Sequence, residues 1–341
     1  MRTSFRLIIF ALGFGLAACS SPAAPATPLP AAPAAPTSSP VPAPTTAPLN
    51  TPTRAPAELS AEFVLMFNGD PDRFNRPQDL AIDAEDNLYV VDAGNSRIRK
   101  FDANGQLLTE WGSQGTGEGQ FDAPKGVAVD GQGNVYVVDG ASAVPRVQKF
   151  DGVGQFLTQW GGAGEGDGQF IDPTAIAVDG EGHVLVADDG TDRIQTFDST
   201  GGFLAQWGSQ GQADGQFQRI RSLVVDQQGS IYVGDVQGSA ARISKFDSAG
   251  HFLLAWDTCG PNRFTLPEGM SVDRQGRIYV TQTDSNLICI FDAAGTLLGR
   301  WGVTGHQEGQ LGYPIGVGVD SQGNVFVAEQ THNRVQKFQQ K

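Results

Sequence analysis

A hairpin motif restated six times at a nearly constant spacing predicts an all-β chain folded as a six-bladed β-propeller. The clearest copy is Val127–Asp139, VAVDGQGNVYVVD, and the others begin at Leu80, Ile176, Leu223, Met270 and Val317. In each, an apolar run ends in an Asp (Asp83, Asp130, Asp179, Asp226, Asp273, Asp320), a turn follows, and a β-branched or aromatic run returns. The Asp can bond its own turn, and a glycine closes it at positive φ. The second observation is the period. Repeats open at Phe74, Phe121, Phe170, Phe217, Phe264 and Leu311, spaced by 47, 49, 47, 47 and 47 residues, which suits one four-stranded blade each. Third, no segment sustains a 3.6-residue apolar period, and 44 Gly with 20 Pro fit a turn-rich chain.

Taken in order, residues 1–18 read as an export signal. Arg2 and Arg6 precede the apolar stretch Leu7–Leu16, which is too short to span a bilayer as a helix. Leu16-Ala17-Ala18-Cys19 then resembles a bacterial lipobox, which implies cleavage after Ala18, lipidation of Cys19 and an outward-facing membrane anchor. Residues 19–61 form a Pro/Ala/Thr-rich linker, charged only at Arg54 and Glu58, that cannot bury a core and is expected to stay extended.

Residues 62–341 are the propeller. In the second repeat, strand a is Gly126–Asp130, b is Asn134–Asp139, c is Arg146–Phe150 and d is Gln155–Trp160. Phe-Asp-x-x-Gly marks the c–d turn from Phe101 to Phe291, and strand d ends in Trp111, Trp160, Trp207, Trp256 and Trp301. These aromatics are expected to pack between blades. The last repeat (311–338) lacks strand d. Phe63-Val64-Leu65-Met66-Phe67 aligns with Leu107–Trp111 and is expected to pair with Arg334–Phe338, closing the ring and removing two sheet edges.

The segments VVDAGNSRIRKFD (90–102), ADDGTDRIQTFD (187–198) and AEQTHNRVQKF (328–338), with the Gly-Gln-Phe and x-Pro signals before strand a, resemble the NHL repeat family. The resemblance implies six blades. For function it is broad, because relatives include protein- and RNA-binding modules, receptor-kinase sensor domains and an amidating lyase.

Strand b ends in an acid whose Arg follows five or seven residues later: Asp92/Arg97, Asp139/Arg146, Asp188/Arg193, Asp235/Arg242 and Glu329/Arg334. In blade five Gln282 and Leu287 replace both partners together. That joint loss marks structural ion pairs rather than a catalytic ring. The four histidines (183, 251, 306, 332) all fall off strand a, so no metal site and no cofactor are expected, and no residues are singled out as catalytic. Gly115–Gly119 and Gly162–Gly168 resemble phosphate loops in composition only, since no helix follows. Cys259 and Cys289 are either a disulfide or small apolar fillers.

A site should sit where the copies disagree. They disagree around the start of strand a, at Arg76, Gln78, Lys125, Thr174, Arg219, Arg221, Glu268 and Tyr313. Arg73, Arg76, Lys125, Arg219 and Arg221 suggest a basic mouth for a carboxylate, a phosphate or an acidic loop. A net charge of −14 opposes nucleic acid. The expected function is therefore a monomeric, envelope-anchored scaffold for a protein, peptide or glycan. The alternative is a lyase or lactone hydrolase with a mouth metal on Asp172, Glu268 and Gln78.

Overall fold

The computed structural model describes residues 59–140 and 144–341. Cys19 and the linker up to residue 58 lie outside this range. Six four-stranded antiparallel sheets ring a common axis. Blade one is Pro77–Ile82, Leu88–Asp92, Arg97–Phe101 and Leu107–Trp111, from the innermost strand outward. Blades two to five repeat this order, starting at Pro124, Pro173, Ile220 and Met270. The sixth sheet runs Pro314–Val319, Asn324–Glu329, Arg334–Gln340 and then Ala61–Phe67, so its outer strand comes from the far end of the chain. There Phe63 stands opposite Phe338 and Phe67 opposite Val335. Strands start and stop within a residue or two of the boundaries read from the repeats.

Alternation explains how the blades stack. Middle strands such as Leu88–Asp92 and Val135–Asp139 are buried at every position, because both faces of the sheet are covered by neighbouring blades. The outer strands alternate, leaving Leu108, Leu157, Leu204 and Leu253 about half exposed on the rim. Between blades, each Trp that ends an outer strand packs on the Phe that ends the third strand of the next blade. Trp160 meets Phe197 at 5.8 Å, Trp207 meets Phe246 at 4.7 Å, and Trp301 meets Phe338 at 4.6 Å between ring centroids. Phe67 does the same for Phe101 at 5.0 Å, in the place the other seams give to Trp.

The turn aspartates bond as their spacing predicts. Asp130 Oδ1 accepts the backbone N–H groups of Gln132 and Asn134 at 2.9 and 2.8 Å, and its Oδ2 accepts the hydroxyl of buried Tyr136 at 3.0 Å. The acids ending the second strands form the paired network. Arg–carboxylate distances are 2.8 Å for Arg97–Asp92, 3.4 Å for Arg146–Asp139, 4.0 Å for Arg193–Asp188, 3.1 Å for Arg242–Asp235 and 2.7 Å for Arg334–Glu329. All five acids are buried. Each also accepts backbone N–H groups at the start of its blade, as Asp188 does from Ile171 and Asp172.

The arginines reach further, to the loop that leads into the blade. Arg146 donates to the carbonyls of Thr116, Gly117 and Gln120, and Gln148 fixes the same loop through Gly119 and Gln120. Arg193 with Gln195, and Arg334 with Gln336, repeat this. Blade five has neither group. In their place Cys289 sits at the Gln position and is bonded covalently to Cys259 of the lead-in loop. The remaining acid function passes to Gln282, whose amide oxygen accepts the Thr265 and Leu266 N–H groups at 3.3 and 3.4 Å.

Two outcomes follow from this packing. Phe338→Ala removes a buried ring at the closing seam and should cost about 3–5 kcal/mol in chemical denaturation, whereas Leu157→Ser on the rim should stay within about 0.5 kcal/mol. Replacing both Cys259 and Cys289 by Ser should cost about 2–4 kcal/mol and speed proteolysis of the Asp257–Leu266 loop. The corresponding loop of blade three should be cleaved no faster.

Candidate functional site

The six innermost strands line an axial cavity of about 520 Å³. Of the residues that vary between copies, Gln78, Lys125, Thr174, Arg221, Glu268 and Tyr313 line it, joined by Asp79 and Gln330. Arg76 and Arg219 do not. Both hold positive φ, near 50°, and each is latched by its backbone N–H to a side chain of the preceding blade: Arg76 to Asn333 at 2.8 Å, Arg219 to Asp192 at 3.1 Å. Tyr313 is latched in the same way to Asn286 at 2.7 Å. The side chains of Arg76 and Arg219 are exposed, and the Arg219 guanidinium bonds the Gly238 carbonyl. Arg73 lies on the surface beside Asp70.

The expected basic mouth therefore disperses. Lys125 is neutralised by a direct ion pair with Asp172 from blade three, which leaves Arg221 as the one unpaired cation lining the cavity among the described residues. Its Nε is shielded from water and has no hydrogen-bond partner there. Beside this guanidinium, on the neighbouring blades, stand acids and not bases. Burial raises the Glu268 carboxyl above its ordinary range, opposed by Arg221. Burial likewise raises Asp189, opposed by Arg221; this carboxyl stands near the mouth but outside the cavity lining, and it accepts the Ile220 N–H while its Oδ1 is buried and unbonded. Tyr313 is held in its protonated form by burial and by Glu268. Blades three to five thus present donors and acceptors that do not satisfy one another.

Asp79 was not among the expected site residues. Its counterparts are Gly126, Ala175, Ser222, Gly269 and Gly316, because this position faces the backbone of the next blade. A Cβ at Gly126 would stand 3.2 Å from the Thr174 carbonyl oxygen. In blade one a carboxyl fills the gap, accepting the N–H of Val127 in the next blade at 3.0 Å and its neighbour Leu80's at 2.8 Å. Enclosure by the channel wall pushes its pKa up to about 6. Comparing the copies one residue further along would have exposed it.

The residues suggested for a mouth metal do not assemble one. Asp172 is taken up by Lys125, and Glu268 stands beside Arg221. No three His, Cys, Asp or Glu side chains converge in a metal-holding group among the described residues. The histidines serve turns: His183 bonds Asp179 and His251 bonds Asp247, both at 2.9 Å. His332 bonds Glu329 at 2.7 Å and packs at a tilt against His306, both lining a second cavity at the seam of blades six and one.

The repeat architecture finds its counterpart in known families. The NHL repeat model matches residues 74–101, the first three strands of blade one. The chain is a six-bladed β-propeller that carries a recognisable NHL repeat in its first blade. A second family model, SMP-30/Gluconolactonase/LRE-like region, matches residues 212–341. No curated protein matches significantly. Among solved structures, this propeller is similar to a structural genomics protein of unknown function from Bacteroides thetaiotaomicron, with 16% identity, TM-score 0.61, and 83% and 76% of the two chains covered. It is similar to a streptogramin B lyase, with 17% identity, TM-score 0.53 and 80% and 81% coverage. A gluconolactonase from Xanthomonas campestris is also similar, with 17% identity, TM-score 0.56 and 79% and 88% coverage. At these identities the likeness is one of fold.

The raised Asp79 has a measurable consequence. Its folded pKa lies above the unfolded value, so the native state holds the proton more tightly, and the charge penalty grows as pH rises from 4 towards 6. Asp79→Asn should remove that dependence. Relative to wild type, the variant should gain on the order of 2–3 kcal/mol between pH 4 and pH 7.5 in urea denaturation. A parallel pH profile for the two proteins would place the titration elsewhere.

Proposed function

We propose that this propeller is a ligand-binding receptor module of the cell envelope, anchored through Cys19, spaced from the membrane by residues 20–60, and acting without catalysis. The ligand sits at the cavity mouth over blades three to five. One observation carries the reading: Arg221 Nε and Asp189 Oδ1 are buried polar atoms without partners, beside a Glu268 carboxyl that also bonds nothing among the described residues. Buried groups of this kind are ordinarily satisfied, and several together are what an unfilled recognition site looks like. The class of occupant is a protein, peptide or glycan component of the envelope, since an acidic chain disfavours nucleic acid.

A second reading rests on Asp79, a channel carboxyl whose pKa burial pushes up to about 6, a value suited to general acid–base work. With the fold-level likeness to a lyase and a lactonase, it keeps an enzyme in view. Turnover of a lactone panel by wild type, lost in Asp79→Asn, would establish it.

The receptor reading is tested by thermal unfolding of the full chain with fractionated envelope material. A fraction holding ligand well above its Kd should raise the midpoint of wild type by several degrees. The Arg221→Ala/Glu268→Gln double variant should not respond. An equal response in both proteins would move the binding surface away from the mouth.

A further inference from the structure

Resting on the receptor reading, we infer that the mouth takes a neutral polyhydroxylated ligand, a sugar unit of a glycan, whose adjacent hydroxyls bridge Arg221 and Glu268. The charges around the mouth cancel. Lys125 and Asp172 cancel, and Arg221 is flanked by Glu268 and Asp189, both close enough to feel its field. An anion approaching Arg221 meets two carboxyls, and a cation approaching those carboxyls meets Arg221. Burial magnifies both penalties, because an imperfectly paired charge in a shielded site is expensive to desolvate.

The unpartnered groups also call for an occupant that both donates and accepts. Arg221 can only donate, and an ionised Glu268 or Asp189 can only accept. The two stand on adjacent blades at the same point of the repeat, so one group placed between them must do both. A hydroxyl does so on a single atom: its oxygen accepts from the guanidinium while its proton goes to the carboxylate, each bond strengthening the other. Vicinal hydroxyls repeat the unit at the spacing of neighbouring carbons. Gln78 and Gln330 extend the same mixed lining, each offering an amide donor and acceptor.

The shape of the cavity agrees. Tyr313 lines the cavity with an aromatic ring whose hydroxyl stays protonated and bonds nothing among the described residues, giving an apolar surface for C–H groups with a donor at its edge. A volume of about 520 Å³ falls in the range of small-molecule sites.

The test is calorimetric titration of the full chain with glucose, galactose and N-acetylglucosamine, set against glucuronate, glucosamine and the neutral peptide N-acetyl-trialanine amide. At least one neutral sugar should bind tenfold or more tightly than either charged sugar and than the peptide. Arg221→Gln and Glu268→Gln should each weaken it at least tenfold, and Leu157→Ser on the rim should leave it unchanged. The proposal is overturned if a charged sugar binds more tightly, if the peptide binds and no sugar does, if neither mouth variant alters sugar binding, or if no neutral sugar binds at tens of millimolar. Should that happen while envelope fractions still stabilise wild type and not the double variant, the ligand class is wrong and the mouth reading stands. Should the fractions act on both proteins alike, both readings fall together.

Discussion

Five of the six blades are organised by one buried side chain, the acid that ends the second strand. Asp139 shows the logic. Its carboxylate caps the N–H groups of Asp122 and Ala123 where the chain turns into the blade, and holds Arg146, whose guanidinium gathers three carbonyls of the lead-in loop. One carboxylate therefore fixes the start of the innermost strand and, through arginine, the loop above it. Burial alone would disfavour such a charge, and does raise the Asp139 pKa. The bonds it collects keep the arrangement worthwhile, and removing one partner would strand the other. The mouth inherits its rigidity from this lattice, because Lys125, Thr174 and Arg221 lie just past the capped turns.

Blade five shows how much of this can be exchanged. With Gln282 for the acid, Leu287 for the arginine and Cys289 for the glutamine, its lead-in loop has lost the electrostatic anchor entirely. A covalent bond to Cys259 takes over, and the weaker amide contacts of Gln282 keep the cap. The same loop delivers Glu268 to the mouth. That blade therefore presents its acid from a support held by different chemistry.

Residues under periodic constraint were readable from the chain, and residues released from it were not. The turn aspartates, the Trp–Phe seams and the acid–arginine pairs recur because every blade needs them, so six copies announce them. Side-chain direction is another matter. Arg76, Arg219 and Tyr313 share a repeat position, positive φ and an Asx latch, yet the two arginines stand outside the cavity and Tyr313 in its lining. The pairing of Lys125 with Asp172 crosses a blade boundary, and no count along one strand foretells it. Asp79 was legible in principle, as an acid where five copies carry Gly, Ala or Ser. What the letters withheld is that this slot presses on the next blade, which gives the carboxyl its enclosure.

The sixth sheet carries an implication for how such a chain can be rearranged. Ala61 lies opposite Gln340, and Ser60 and Lys341 exchange backbone hydrogen bonds at 3.3 and 2.9 Å. The two ends of the ring are thus already neighbours, and a short splice would join them without moving either strand. Topologically the propeller is a loop with an arbitrary cut. New termini opened in any exposed turn would yield a circular permutant with the same sheets, in which the seam now made by non-covalent pairing becomes continuous chain.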